Sequence, residues 1–185
     1  MDLPDERPSQ ESRRRISPVW MAAGAVAVLV LVLLAFALPK AASKAPQVGD
    51  LVPTFALTAL DGRPMSLTAQ EDKVVVLNVF ASWCAPCRLE AADIEQTWRD
   101  FESRDVQFYG LGYQDVPSKA QAFLDEFDVT YPCAVESDNN TALAFGVTGV
   151  PETFVIDQDG RLLEHIIGPI EGQRLASILN KALSR

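Results

Sequence analysis

The chain has 185 residues, enough for about one domain plus an attached segment, and 48% of them are apolar, enough to build a core. Its formal net charge is −9, and the first 44 residues hold six Lys/Arg against four Asp/Glu, so the rest carries −11. A domain this acidic argues against nucleic acid and against an anionic lipid surface as partners, and solubility explains the charge.

Residues 1–18 are polar, contain prolines and include Arg13, Arg14 and Arg15, and they read as a cytoplasmic tail. Residues 19–38 form an uncharged run. A helix of ~20 residues matches the hydrocarbon thickness of a bilayer, so this run is expected to be a transmembrane signal-anchor. The arginines before it outweigh Lys40 and Lys44 after it, which puts the N-terminus in the cytoplasm and the remainder outside. Ala41, Ala42 and Ser43 leave cleavage as an alternative. Residues 39–50 read as a linker and 51–185 as the domain.

Within the domain, residues 54–60 and 65–67 flank an Asp61–Gly62 turn and predict a β-hairpin. Residues 73–81 are dense in β-branched side chains and predict a buried strand. Leu89, Ala92, Ile94, Trp98 and Phe101 then recur at roughly helical spacing and predict a helix over 85–103. A strand follows at 106–113. Pro117 opens a helix marked by Ala120, Phe123, Leu124 and Phe127. Asp138 is placed to cap a short helix over 139–145. Strands at 153–156 and 162–167 flank a turn at 157–160, and Leu175, Ile178, Leu179 and Ala182 mark a closing helix. The order predicts an α/β fold, a central mixed sheet with helices on both faces.

The segment Ser82-Trp83-Cys84-Ala85-Pro86-Cys87 lies where the buried strand ends and the helix begins. Unpaired N–H groups there favour a thiolate, which is the reactive form of cysteine. Residues three apart sit about one helical turn from each other, so the two sulfurs can meet. Cys84, at the exposed start, is expected to attack, and Cys87, more shielded, to resolve the mixed disulfide. A zinc half-site and an inert structural disulfide are the alternatives. Zinc needs four ligands, and the chain offers only the distant Cys133 and His165 besides. Cys133 reads as a buried core thiol and His165 as a structural strand residue. Asn139-Asn140-Thr141 matches a glycosylation triplet, a pattern short enough to arise by chance.

The second informative run is Gly146-Val147-Thr148-Gly149-Val150-Pro151-Glu152-Thr153-Phe154. Proline cannot donate into a β-ladder, so Pro151 belongs at a strand start. Trp-Cys-x-x-Cys after an apolar strand, with this glycine and proline run downstream, resembles the thioredoxin superfamily. More narrowly it is similar to the membrane-anchored thiol–disulfide oxidoreductases TlpA, ResA and CcmG (DsbE). The resemblance covers roughly residues 46–183. It implies a thioredoxin fold with an extra N-terminal hairpin and an N-terminal transmembrane helix. It implies dithiol–disulfide exchange through Cys84 and Cys87, with no metal and no cofactor beyond that pair. Glu90 matches an acidic residue that tunes the thiols. Asn78 stands where ordinary thioredoxins have a buried Asp, and an amide cannot accept the resolving thiol's proton, so Glu90 is the expected acceptor. Pro151 matches a cis-proline facing the disulfide, and the backbone at Val150 would pair with substrate like an added strand. Trp83, Pro86, Val150, Pro151 and Glu152 are the residues expected to meet substrate. The resemblance further implies that partner disulfides are reduced, those of apocytochrome c or its maturation factors, with electrons from a membrane thiol carrier. A disulfide oxidant or isomerase, and a thiol reductant in copper-site assembly, are the alternatives.

Overall fold

The computed structural model describes residues 24, 26–29, 45–68 and 72–184. Two units separate, residues 1–42 and 43–185. Of the first, residues 24 and 26–29 are helical and exposed. The expected cytoplasmic tail, most of the expected anchor and residues 39–44 of the expected linker fall outside the described residues. Among the described residues no helix is long and apolar enough to cross a membrane.

The second unit is built on a five-stranded sheet and a small hairpin. Strands β1 (Ala56–Thr58) and β2 (Pro64–Ser66) pair antiparallel around the Asp61–Gly62 turn. Then come β3 (Val74–Phe80), α1 (Ala85–Phe101), β4 (Val106–Gly112) and α2 (Pro117–Glu126). They are followed by β5 (Cys133–Val135), α3 (Asn140–Ala144), β6 (Glu152–Ile156), β7 (Leu162–Ile167) and α4 (Gly172–Leu183). The sheet order is β5-β4-β3-β6-β7, with β3, β4 and β5 parallel and β6 and β7 antiparallel to their neighbours. The expected mixed sheet is therefore present, and β5 is an additional edge strand that the sequence did not announce.

All seven residues of β3 are buried, as a central strand covered on both faces requires. Side chains alternate between faces along a strand. Val74, Val76 and Phe80 join a core with Ile94, Trp98 and Phe101 of α1, Phe123 of α2 and Leu175 and Leu179 of α4. Val75, Leu77 and Val79 join a second core with Phe55, Met65, Phe145 and Phe154. So α1, α2 and α4 cover one face, and the hairpin with the short α3 covers the other.

The chain before the hairpin is also drawn in. Residues 47–50, read above as the end of a linker, are tied to β7 by Gly49 N donating to Leu162 O at 2.8 Å and Leu162 N donating to Asp50 O at 2.9 Å. The start of α3 differs from expectation too. Asp138 Oδ1 receives Asn140 N at 3.4 Å, but Glu136 takes both Thr141 N and Thr141 Oγ1, at 2.8 and 2.7 Å. A longer acidic side chain two residues upstream thus supplies most of the cap.

Close packing of β4 on β5 leaves a testable mark at Gly110. A Cβ there would lie 2.4 Å from Cys133 Sγ and 3.3 Å from the Phe80 ring. Gly110→Ala is expected to destabilise the fold by about 1–3 kcal/mol through overpacking, read as a lowered urea midpoint at constant slope. An unchanged midpoint would show that Cys133 can move aside.

Candidate active site

Cys84 and Cys87 form a disulfide, with S–S 2.01 Å and Cα–Cα 5.3 Å. Cys84 is the N-cap of α1, and its Sγ accepts a hydrogen bond from Cys87 N at 3.1 Å. Pro86 sits in the first turn, where its missing N–H leaves no bond unmade. The expectation of an exposed Cys84 is corrected: Cys84 is 3% exposed and Cys87 1%. The reason is local. An N-cap side chain curls back over the first turn to receive an N–H, so the sulfur points along the helix rather than outward. Trp83, 60% exposed, holds the outer position instead.

The loop carrying the pair is braced from the carboxyl end of β4. Ser82 N and Ser82 Oγ donate to the two oxygens of Asp115 at 2.6 and 2.9 Å. Trp83 Nε1 donates to Gln114 O at 3.2 Å, and Tyr113 N to Phe80 O at 2.8 Å. Sequence reasoning passed over Asp115. The signal available was its place just past a parallel strand's carboxyl end, where α/β folds gather their chemistry.

Behind the pair lies a buried polar chain. Cys87, Glu90, Ala91, Ile94 and Trp98 share the buried face of α1. Glu90 is only 3% exposed. Its Oε1 receives Asn78 Nδ2 at 3.0 Å, and its Oε2 receives Ile170 N at 2.8 Å. Asn78 Nδ2 also donates to Thr153 Oγ1 at 3.1 Å. Burial pushes the Glu90 carboxyl up from 4.5 to about 7, although both hydrogen bonds favour the charged form. This chain links the helix of the cysteines, the central strand and the strand that follows Pro151.

The Val150–Pro151 peptide is cis. Val150 is partly buried and packs against the core cluster that contains both redox cysteines. Pro151 O accepts Gly168 N at 2.9 Å, which fixes the loop against the end of β7. Glu152 lies differently from the expected substrate contact. It is 1% exposed, and its Oε1 receives Thr148 N, Thr148 Oγ1 and Gly149 N at 2.8, 3.0 and 3.0 Å. Its Oε2 lies 2.7 Å from His165 Nε2. The side chain therefore turns into its own loop, because three donors there repay the burial of a carboxylate that the surface would not.

The structure thus brings Cys84, Cys87 and Glu90 onto one helix and joins Glu90 through Asn78 and Thr153 to the Pro151 strand. Thr153 was not singled out from sequence. A lone amide in the otherwise apolar β3 was the available sign of a buried polar partner. Cys133 is a free, buried thiol, and burial pushes its pKa far up. Among the described residues no group of three or more His, Cys, Asp or Glu is placed to hold a metal ion. What the arrangement carries is two-electron chemistry on a cysteine pair.

Comparison with known proteins agrees with this site. The AhpC/TSA family model matches residues 48–165. Thiol-disulfide oxidoreductase ResA of Bacillus thuringiensis (strain Al Hakam) is 27% identical over 135 residues, covering 73% of this chain and 78% of that protein. Thiol:disulfide interchange protein HelX of Rhodobacter capsulatus is 38% identical over 102 residues, covering 55% of this chain and 56% of that protein. A crystal structure of a DsbE-type thiol:disulfide interchange protein from Chlorobium tepidum superposes with a TM-score of 0.70 at 27% identity, covering 75% of this chain and 99% of that one. The chain belongs to the AhpC/TSA family, as a thioredoxin-fold thiol–disulfide oxidoreductase of the TlpA/ResA/CcmG kind with a Cys84–Cys87 pair.

Proposed function

We propose that the protein is a membrane-anchored reductant of extracytoplasmic disulfides, and that its substrates are the haem-site cysteines of apocytochrome c or the factors that mature it. The observation that carries the thiol exchange in this reading is Glu90, a buried carboxyl with a pKa near 7 on the same helix face as Cys87. A group poised near the working pH is suited to take a proton from a thiol that must become a nucleophile. The uncharged run 19–38 behind Arg13, Arg14 and Arg15 supports the anchor and the outward placement of the domain.

In the reduced protein the Cys84 thiolate attacks one sulfur of the partner's disulfide and displaces the other as a thiolate. Glu90 takes the proton of Cys87, whose sulfur then attacks Cys84 Sγ. The partner leaves with both cysteines reduced, and Cys84–Cys87 closes, so two electrons pass in all. Substrate chain lies along Val150 and Pro151 beside Trp83 and Pro86. A membrane thiol carrier returns the two electrons. The reduction potential of the full chain tests the direction. A value at or below about −220 mV agrees with a reductant, whereas one near about −120 mV belongs to an oxidant and would overturn the reading.

A further inference from the structure

We propose that His165 is a positioning residue for substrate docking, acting through the buried Glu152 carboxylate on the loop at Thr148, Gly149 and Val150. The inference rests on the reading that substrate chain docks at Val150 and Pro151.

Two consecutive residues anchor the strand after Pro151 into opposite faces of the sheet. Thr153 reaches Asn78 on the α1 face. Glu152 shares its face with Phe154, which belongs to the core under the hairpin. There Glu152 Oε1 receives three loop donors. Oε2 faces His165 Nε2 at 2.7 Å, so one proton lies between them and the imidazole holds the carboxylate from behind. His165 is itself fixed. It pairs with Phe154 in register, and the two rings stack at 4.2 Å with 14° between planes. The only histidine of the chain thus orients a carboxylate whose other oxygen aims the two amides just before Val150. Removing the imidazole leaves Oε2 buried without a donor. The carboxylate then has reason to rotate, and Thr148 N and Gly149 N lose their common acceptor.

The consequence falls on binding rather than on the exchange step, because the sulfurs lie on another element. The probe is a synthetic peptide with a C-x-x-C-H sequence in its disulfide form. The protein is the full chain in detergent, reduced beforehand and followed through the single turnover its two electrons allow, with KM read as the half-saturating peptide concentration and kcat as the limiting rate. His165→Leu is expected to raise KM about tenfold while kcat stays within twofold. His165→Asn keeps polarity but is too short for the contact, and should match His165→Leu. His165→Gln offers an amide N–H at greater reach and should restore KM to within about threefold. Equal KM for parent, Leu and Asn variants would overturn the proposal. So would an equal loss in all three variants with a lowered urea midpoint, which marks a merely structural histidine. Pro151→Ala is measured alongside. If it raises KM while His165→Leu does not, the positioning role fails and the docking reading stands. If Pro151→Ala leaves KM unchanged, the docking reading fails and takes this proposal with it.

Discussion

Cys87→Ser is expected to accumulate as a covalent complex with its partner, and Cys84→Ser to lose exchange by on the order of 10³-fold or more. The argument is positional. Cys84 heads α1 and receives Cys87 N at its sulfur, the arrangement that stabilises a thiolate on that atom. Without Cys87 nothing internal displaces the partner from Cys84, so the mixed disulfide persists until an outside thiol arrives. Neither variant should unfold. The crosslink closes a loop of only a few residues, and chain entropy sets its loss at about 2 kcal/mol. Non-reducing gels after incubation with an oxidised C-x-x-C-H peptide would show the adduct for Cys87→Ser alone. An adduct on Cys84→Ser instead would reverse the two roles.

Glu90 carries the second large effect, and its sign can be worked out. The folded carboxyl keeps its proton to about pH 7, while the unfolded chain releases it near 4.5. Between those values the folded state binds more protons, so its stability falls as pH rises through the window. The 2.5-unit difference corresponds to about 3 kcal/mol lost between pH 4 and 8. Urea midpoints of the oxidised protein across that range should show the decline. Glu90→Gln, which does not titrate, should lack that component of it. The same substitution should slow closure of the Cys84–Cys87 disulfide by about 10²-fold and remove the inflection near neutral pH from its rate profile. Parent and variant with superimposable profiles, in stability and in rate, would take Glu90 out of the mechanism.

Much of this was readable in the chain, and the failures share a cause. The β-branched run at 74–80 announced a doubly covered strand, and the spacing from Leu89 to Phe101 announced the helix, of whose marker residues Ile94, Trp98 and Phe101 are buried while Leu89 and Ala92 face outward. The redox pair was legible because its chemistry needs that junction. β5 was not, since three residues carry too little periodicity to register. The orientation of Glu152 was misjudged because an acid beside a reactive pair suggests the surface. Its phase with Phe154 and Ile156, every second residue on a strand buried on both faces, pointed inward. Cys84 was placed outside by its position in the helix, while the curl of a capping side chain decides where the atom goes. In each case sequence located the residue, and the direction of its side chain depended on partners distant in the chain.

The segment ahead of β3 has a consequence for solubility. Leu60 N donates to Cys133 O on one outer strand of the sheet, at 2.8 Å. Residues 49–52 bond to Gly160 and Leu162 at the start of the other, at 2.8–3.0 Å. Residues 49–60 therefore cover the beginning of each outer strand, where unpaired amides would otherwise invite another chain to add on. Addition of a second copy of the chain is hindered at those two points.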